Sequence, residues 1–101
     1  MDLNFAIIVT VTFFANGRRN GPPCLEGGIY LPHFVVKGDQ EYLGVRFVAG
    51  DFCEFDKEVN AIVLPIYENV SYDKLTLHTT FYIMEGDNVV GEGIVNEIVT
   101  V

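Results

Sequence analysis

Residues Phe81 to Val95 read FYIMEGDNVVGEGIV, two apolar runs about a tight, acidic, glycine-containing turn. Such a pattern is the signature of a β-hairpin, because Gly supplies the positive φ that a two-residue connection demands. The two arms are predicted over Thr79 to Glu85 and Val89 to Thr100, turning at Gly86-Asp87. Asp87 and Asn88 provide turn geometry. Gly91 and Gly93 fall on one face of the second arm, where absent side chains let a small barrel bend or a neighbouring backbone approach.

Working outward, the same grammar recurs. Residues 3 to 14 alternate, with Leu3, Phe5, Ile7, Val9, Val11 and Phe13 on one face and Asn4, Thr10 and Thr12 on the other. Asn16 to Gly28 is loop chemistry, rich in Gly and holding Pro22-Pro23. Ile29 to Lys37 is predicted as a strand in which Pro32, unable to donate to a ladder, demands an edge or bulge position. Gly38 and Asp39 turn the chain into Glu41 to Ala49, whose Leu43, Val45, Phe47 and Ala49 face one way, completing a second hairpin. An acidic loop over 50 to 57 follows. Val59 to Tyr67 is apolar on both faces apart from Asn60, which predicts a strand covered on its outer side too. Asn69 to Leu77 is polar and irregular. The expectation is a single all-β domain over 1–101 with six strands and no helix.

At 101 residues there is mass for one core. Half the residues are hydrophobic, with a mean hydropathy of +0.29, but no apolar run approaches the roughly 20 residues of a membrane helix. The run Phe5 to Phe14 lacks the basic start of a signal peptide and carries Thr10 and Thr12 at strand spacing. A soluble, cytoplasmic chain with no membrane contact is expected. Cys24 and Cys53 are too few for a secreted disulfide scaffold, so reduced thiols are expected. Fourteen carboxylates against six Lys and Arg give a net charge of -8, which repels phosphate backbones and favours a basic protein partner or plain solubility.

Three segments, GRR at 17–19, GGIYLPHF at 27–34 and IMEGDNVVGEGIV at 83–95, resemble in their order the third, C-terminal domain of elongation factor Tu. The resemblance covers nearly the whole chain and implies a six-stranded antiparallel Greek-key barrel. In that family the domain helps hold the T-arm of aminoacyl-tRNA and touches partner domains, using basic residues near these motifs. Here Leu31 stands where the family has arginine before the proline, and Met84 and Asn88 replace basic residues on either side of the turn. Glu92 replaces the alanine between the paired glycines, so only Arg18 and Arg19 keep the basic character. Phosphate contacts act through counterion release, so losing three cations and gaining a carboxylate removes the expectation of tRNA binding. No GxxxxGK[ST] occurs, so GTP hydrolysis does not carry over.

Catalytic signals are weak. Cys24, Cys53, His33 and His78 lack the paired spacing of structural zinc sites, and Asp51 to Glu58 lacks the EF-hand order, so no metal or other cofactor is expected. Cys24 is read as a plain loop thiol. Alternation puts Glu92 on the face of Val90 and Ile94, and the lower-cost arrangement turns that face outward. An outer patch of Val90, Ile94, Leu31 and Met84 is therefore expected beside the charge. The favoured function is a non-enzymatic protein-binding module, in its most concrete form an immunity or antitoxin protein that neutralises a basic toxin. Its partner-binding residues are expected to be Arg18, Arg19, Leu31, Met84, Asp87, Asn88 and Glu92, with Asp51, Glu54 and Asp56 of the acidic loop. The alternative is a translation-associated accessory that binds tRNA or the elongation machinery.

Overall fold

A computed structural model describes residues 4–15 and 20–100. Six strands are present: β1 (Phe5–Phe13), β2 (His33–Val36), β3 (Leu43–Gly50), β4 (Glu58–Pro65), β5 (Thr80–Glu85) and β6 (Asn88–Thr100). No described residue is helical. The strands close into a barrel in the order β1-β4-β3-β2-β5-β6, every neighbouring pair antiparallel. Within it β1-β4-β3-β2 is a Greek key, three strands joined in succession with a fourth laid beside the first by a long connection.

The alternating apolar residues fill the interior. Ile7, Val9, Val11 and Phe13 of β1, Leu43, Val45 and Phe47 of β3, and Phe81 and Ile83 of β5 are fully buried. The rings of Phe34 and Phe81 stack at 3.9 Å, and Phe47 packs edge-on against Phe34. The outer faces of Ile62 and Leu64 on β4 are half-buried, a partial form of the cover predicted there.

The β5–β6 hairpin forms where predicted. Glu85 pairs with Asn88, and Gly86 has φ +61° while Asp87 stays negative, the signature of a type II′ turn. Gly91 and Gly93 face inward and admit β1. A Cβ at Gly91 would lie 2.5 Å from the Thr12 carbonyl oxygen, and one at Gly93 2.7 Å from that of Thr10.

Three features depart from the sequence reading. The second strand is short: β2 begins after Pro32, and just before it the chain meets β3 through isolated bonds, Val45 N–H donating to the Pro32 carbonyl and Phe47 N–H to that of Tyr30. Closure of the barrel leaves β2 between β3 and β5, not at an edge. The second departure concerns the expected outer patch. A bulge inserts Val90 between Gly91, opposite Ile83, and Val89, opposite Met84, and this turns Val90 into the core. Met84 stays on the outer wall between its register neighbours His33 and Val89, yet it is only 8% exposed. Third, the irregular segment 66–79 is a plug. Tyr72 and Leu75 are buried, and the Tyr72 hydroxyl donates to the Gly44 carbonyl at 2.5 Å while accepting from the N–H groups of Ile66 and Tyr67.

Candidate functional site

Because neighbours are antiparallel throughout, β1, β3 and β5 all run in one direction. Their exits, the connections 14–32, 51–57 and 86–87, therefore gather at one end of the barrel. Asp51, Glu54, Asp56, Asp87, Asn88 and Leu31 thus share that end, as do Glu26 and Glu58. Arg18 and Arg19 belong to the same connection but lie outside the described residues. Glu92 stands apart, part-way along β6 opposite Thr12 and Tyr82.

The end is built on a few specific ties. Asp56 adopts φ +62°, donates its N–H to the Phe13 carbonyl at 2.7 Å and accepts from Ala15 N–H at 3.3 Å, so it clamps loop 51–57 to the end of β1. Tyr30 donates from its hydroxyl to Glu85 at 2.6 Å, tying the first connection to β5. Gly27 N–H donates to the Val48 carbonyl and Gly50 N–H to the Glu26 carboxylate, so residues 25–27 run alongside the end of β3. A Cβ on Gly50 would collide with Leu25.

Between these two segments lies a cleft of about 600 Å³, whose lining includes Pro22, Pro23, Cys24, Leu25, Phe52 and Cys53 together with Glu26 and Asp51. Phe52 is 87% exposed, the most exposed large hydrophobic residue of the described chain. Asp51 and Glu54 flank it in sequence, and both are exposed. Glu54 pairs with Lys57 at 3.2 Å across exposed side chains, a contact of small energetic weight. The carboxylates of this end are among the residues expected from sequence, and Phe52 is not. An aromatic between charges in a polar loop was the available signal.

Other expected site residues have different duties. Glu92 is on the outer wall and pairs with Lys37 at 2.5 Å; the Lys37 ammonium also lies 5.0 Å from the Tyr82 ring centre. Donating to the Glu92 carboxylate raises the Lys37 pKa above its ordinary value, burial opposing it. Leu31 is half-exposed, but the patch it was expected to share is gone because Val90 is internal and Met84 is covered. Cys24 is exposed and Cys53 buried, on the walls of one cleft and not joined as a disulfide. Among the described residues no three His, Cys, Asp or Glu side chains converge as a metal ion would require.

Compared with known proteins, the chain matches no family model, no curated protein and no solved structure.

Proposed function

We propose that this chain is a non-enzymatic protein-binding module that captures a basic protein at the end of the barrel formed by connections 14–32, 51–57 and 86–87. Carrying this reading is Phe52, 87% exposed at the mouth of an apolar cleft and flanked by Asp51 and Glu54. An exposed aromatic anchor inside a charged rim is the anatomy of an interface hot spot, the ring supplying apolar area and the carboxylates steering a cationic partner. A net charge of -8 reinforces the steering. Neutralising a basic toxin, as an immunity or antitoxin protein does, is the biological setting that fits this chemistry.

The sequence resemblance to the third domain of elongation factor Tu agrees with a closed six-stranded barrel and suggests a relative of that domain. Binding of tRNA is disfavoured by the same residues that break the family pattern: Leu31, Met84 and Asn88 carry no charge, and Glu92 is negative.

Affinity capture from the source cell, with bound protein and RNA both identified, tests the reading. Capture of one basic protein that leaves at high salt is expected. Phe52→Ala and the double variant Asp51→Asn/Glu54→Gln should each lose that protein while melting like the parent chain. Recovery of tRNA, or capture indifferent to all three substitutions, would sink it.

A further inference from the structure

At the opposite end of the barrel β6 outruns β5. The β5–β6 ladder ends at Thr80 opposite Ile94, followed by two bonds in which Val95 N–H donates to the Thr79 carbonyl and its carbonyl accepts from His78 N–H. From Asn96 to Thr100 β6 pairs only with β1. All five of these residues are exposed.

The direction of the free backbone groups follows from parity. Val95 turns its N–H and carbonyl toward β5. Asn96 is a bulge residue, because Val9 faces Val95 whereas Ile8 faces Glu97. Regular alternation would turn Ile98 back to β1, and the extra residue reverses it. The N–H and carbonyl groups of Ile98 and Thr100 therefore point to the open side, an unpaired row of the kind that templates strand addition.

That open side is not a flat edge. It borders a cleft of about 390 Å³ whose far wall is the plug segment, with Tyr72 and Leu75, and whose floor includes Phe5 and Ile98. Ile98 faces Ile7 across the ladder, so its side chain points toward the barrel interior, yet it is 42% exposed because no described residue covers it. The wall of the barrel has a gap of strand type, with hydrogen-bonding groups on one side and apolar side chains beneath.

We propose that this gap is a β-augmentation site, which takes an extended segment of another protein, apolar where it meets Ile98 and Leu75 and bearing Lys or Arg beside those positions. The segment 66–79 walls the cleft, so a single strand enters where the edge of a second barrel, backed by its own neighbour, does not. Charge selects the same occupant. Asp73 lines the cleft and Glu97 is exposed on the edge, while Lys74, the nearest cation in sequence, is drawn away to Asp39 at 2.8 Å and Glu41 at 3.3 Å. A second copy would bring like carboxylates together, which disfavours pairing. Main-chain bonds supply affinity in such sites and the side-chain pocket supplies selectivity.

The test uses amide hydrogen exchange on the whole chain with the peptide acetyl-Lys-Val-Thr-Val-Lys-amide. In the free protein the amides of Ile98 and Thr100 should exchange fast while that of Val95 is protected. With about 1 mM peptide, exchange at Ile98 should slow about tenfold, as expected for a weak five-residue strand. Ile98→Lys, which charges the cleft floor at an exposed position, should abolish the slowing without lowering the melting temperature; a peptide with Pro for the central Thr should have no effect. Protection of Ile98 and Thr100 already in the free protein would show the edge to be occupied by the chain itself and overturn the proposal. So would unchanged exchange with peptide, or self-association by sedimentation that protects the same amides.

Discussion

Removing the hydroxyl of Tyr72 isolates the contribution of one hydrogen-bonded knot to the closure of the barrel. The hydroxyl donates to the buried Gly44 carbonyl at 2.5 Å and accepts from Ile66 N–H at 3.3 Å and Tyr67 N–H at 3.2 Å. Tyr72→Phe keeps the ring, including its edge contact with Phe5 at 6.4 Å, so the change falls on polar bonds alone. Leaving a buried carbonyl unpaired costs about 1–2 kcal/mol, and the two longer, partly exposed bonds add about 0.5 kcal/mol each. The expected loss is about 2–3 kcal/mol, a fall in melting temperature of about 10–20 °C for a domain of this size. Urea titration is the assay: the midpoint should drop with the slope unchanged, since the surface exposed on unfolding is the same. Tyr82→Phe, on the exposed outer wall, should stay within about 0.5 kcal/mol of the parent. A loss at Tyr72 no larger than that at Tyr82 would refute the reasoning and leave the plug held by Leu75 packing instead.

Gly91→Ala should be costly in a different way. The new methyl would meet the Thr12 carbonyl oxygen at 2.5 Å and the Phe13 Cα at 3.3 Å, both backbone, so β1 must move away from β6. About 1–3 kcal/mol of overpacking loss is expected by denaturant titration, and an unchanged midpoint would show that β1 and β6 have room for a methyl group between them. At acid pH, Asp39 governs one window. The Lys74 ammonium, with the Glu41 and Gln40 backbone N–H groups, lowers its carboxyl pKa from the usual 3.8 to about 2. A depressed folded-state pKa contributes stability that is present above about pH 4 and is lost as pH falls toward 2. Melting temperatures measured from pH 5 to 2 should therefore fall less steeply for Asp39→Asn than for the parent chain; parallel curves would contradict the linkage.

Most of the barrel was legible in sequence because two signals coincide in it. Alternation placed Ile7, Val9, Val11, Phe13, Leu43, Val45 and Phe47 inside, and glycines marked the turns and the close approach of β1 at Gly91 and Gly93. The acidic end was legible for a topological reason. Consecutive antiparallel strands return every second connection to the same end, so Asp51, Glu54, Asp56 and Asp87 meet however far apart they stand in the chain. Chemistry at that end was harder to apportion, since Asp56 has the composition of a binding residue and the geometry of a clamp.

What alternation could not give is parity after a bulge. A single inserted residue flips every later side chain relative to a simple count, and the described strands contain three such insertions, at Val48, Val90 and Asn96. Glu92 was counted onto one face with Val90, and the bulge sent Val90 into the core while Glu92 stayed outside with Lys37. Val89-Val90, an apolar doublet opening a strand that otherwise alternates as Gly91-Glu92-Gly93, was the one local sign. The bulge at Asn96 has the opposite visibility. Nothing in NEIVT marks it, yet it alone aims the free backbone groups of Ile98 and Thr100 at the cleft beside Leu75. An interaction surface of this kind depends on where hydrogen bonds are absent, and that is a property of pairing between distant segments, which residue types alone do not encode.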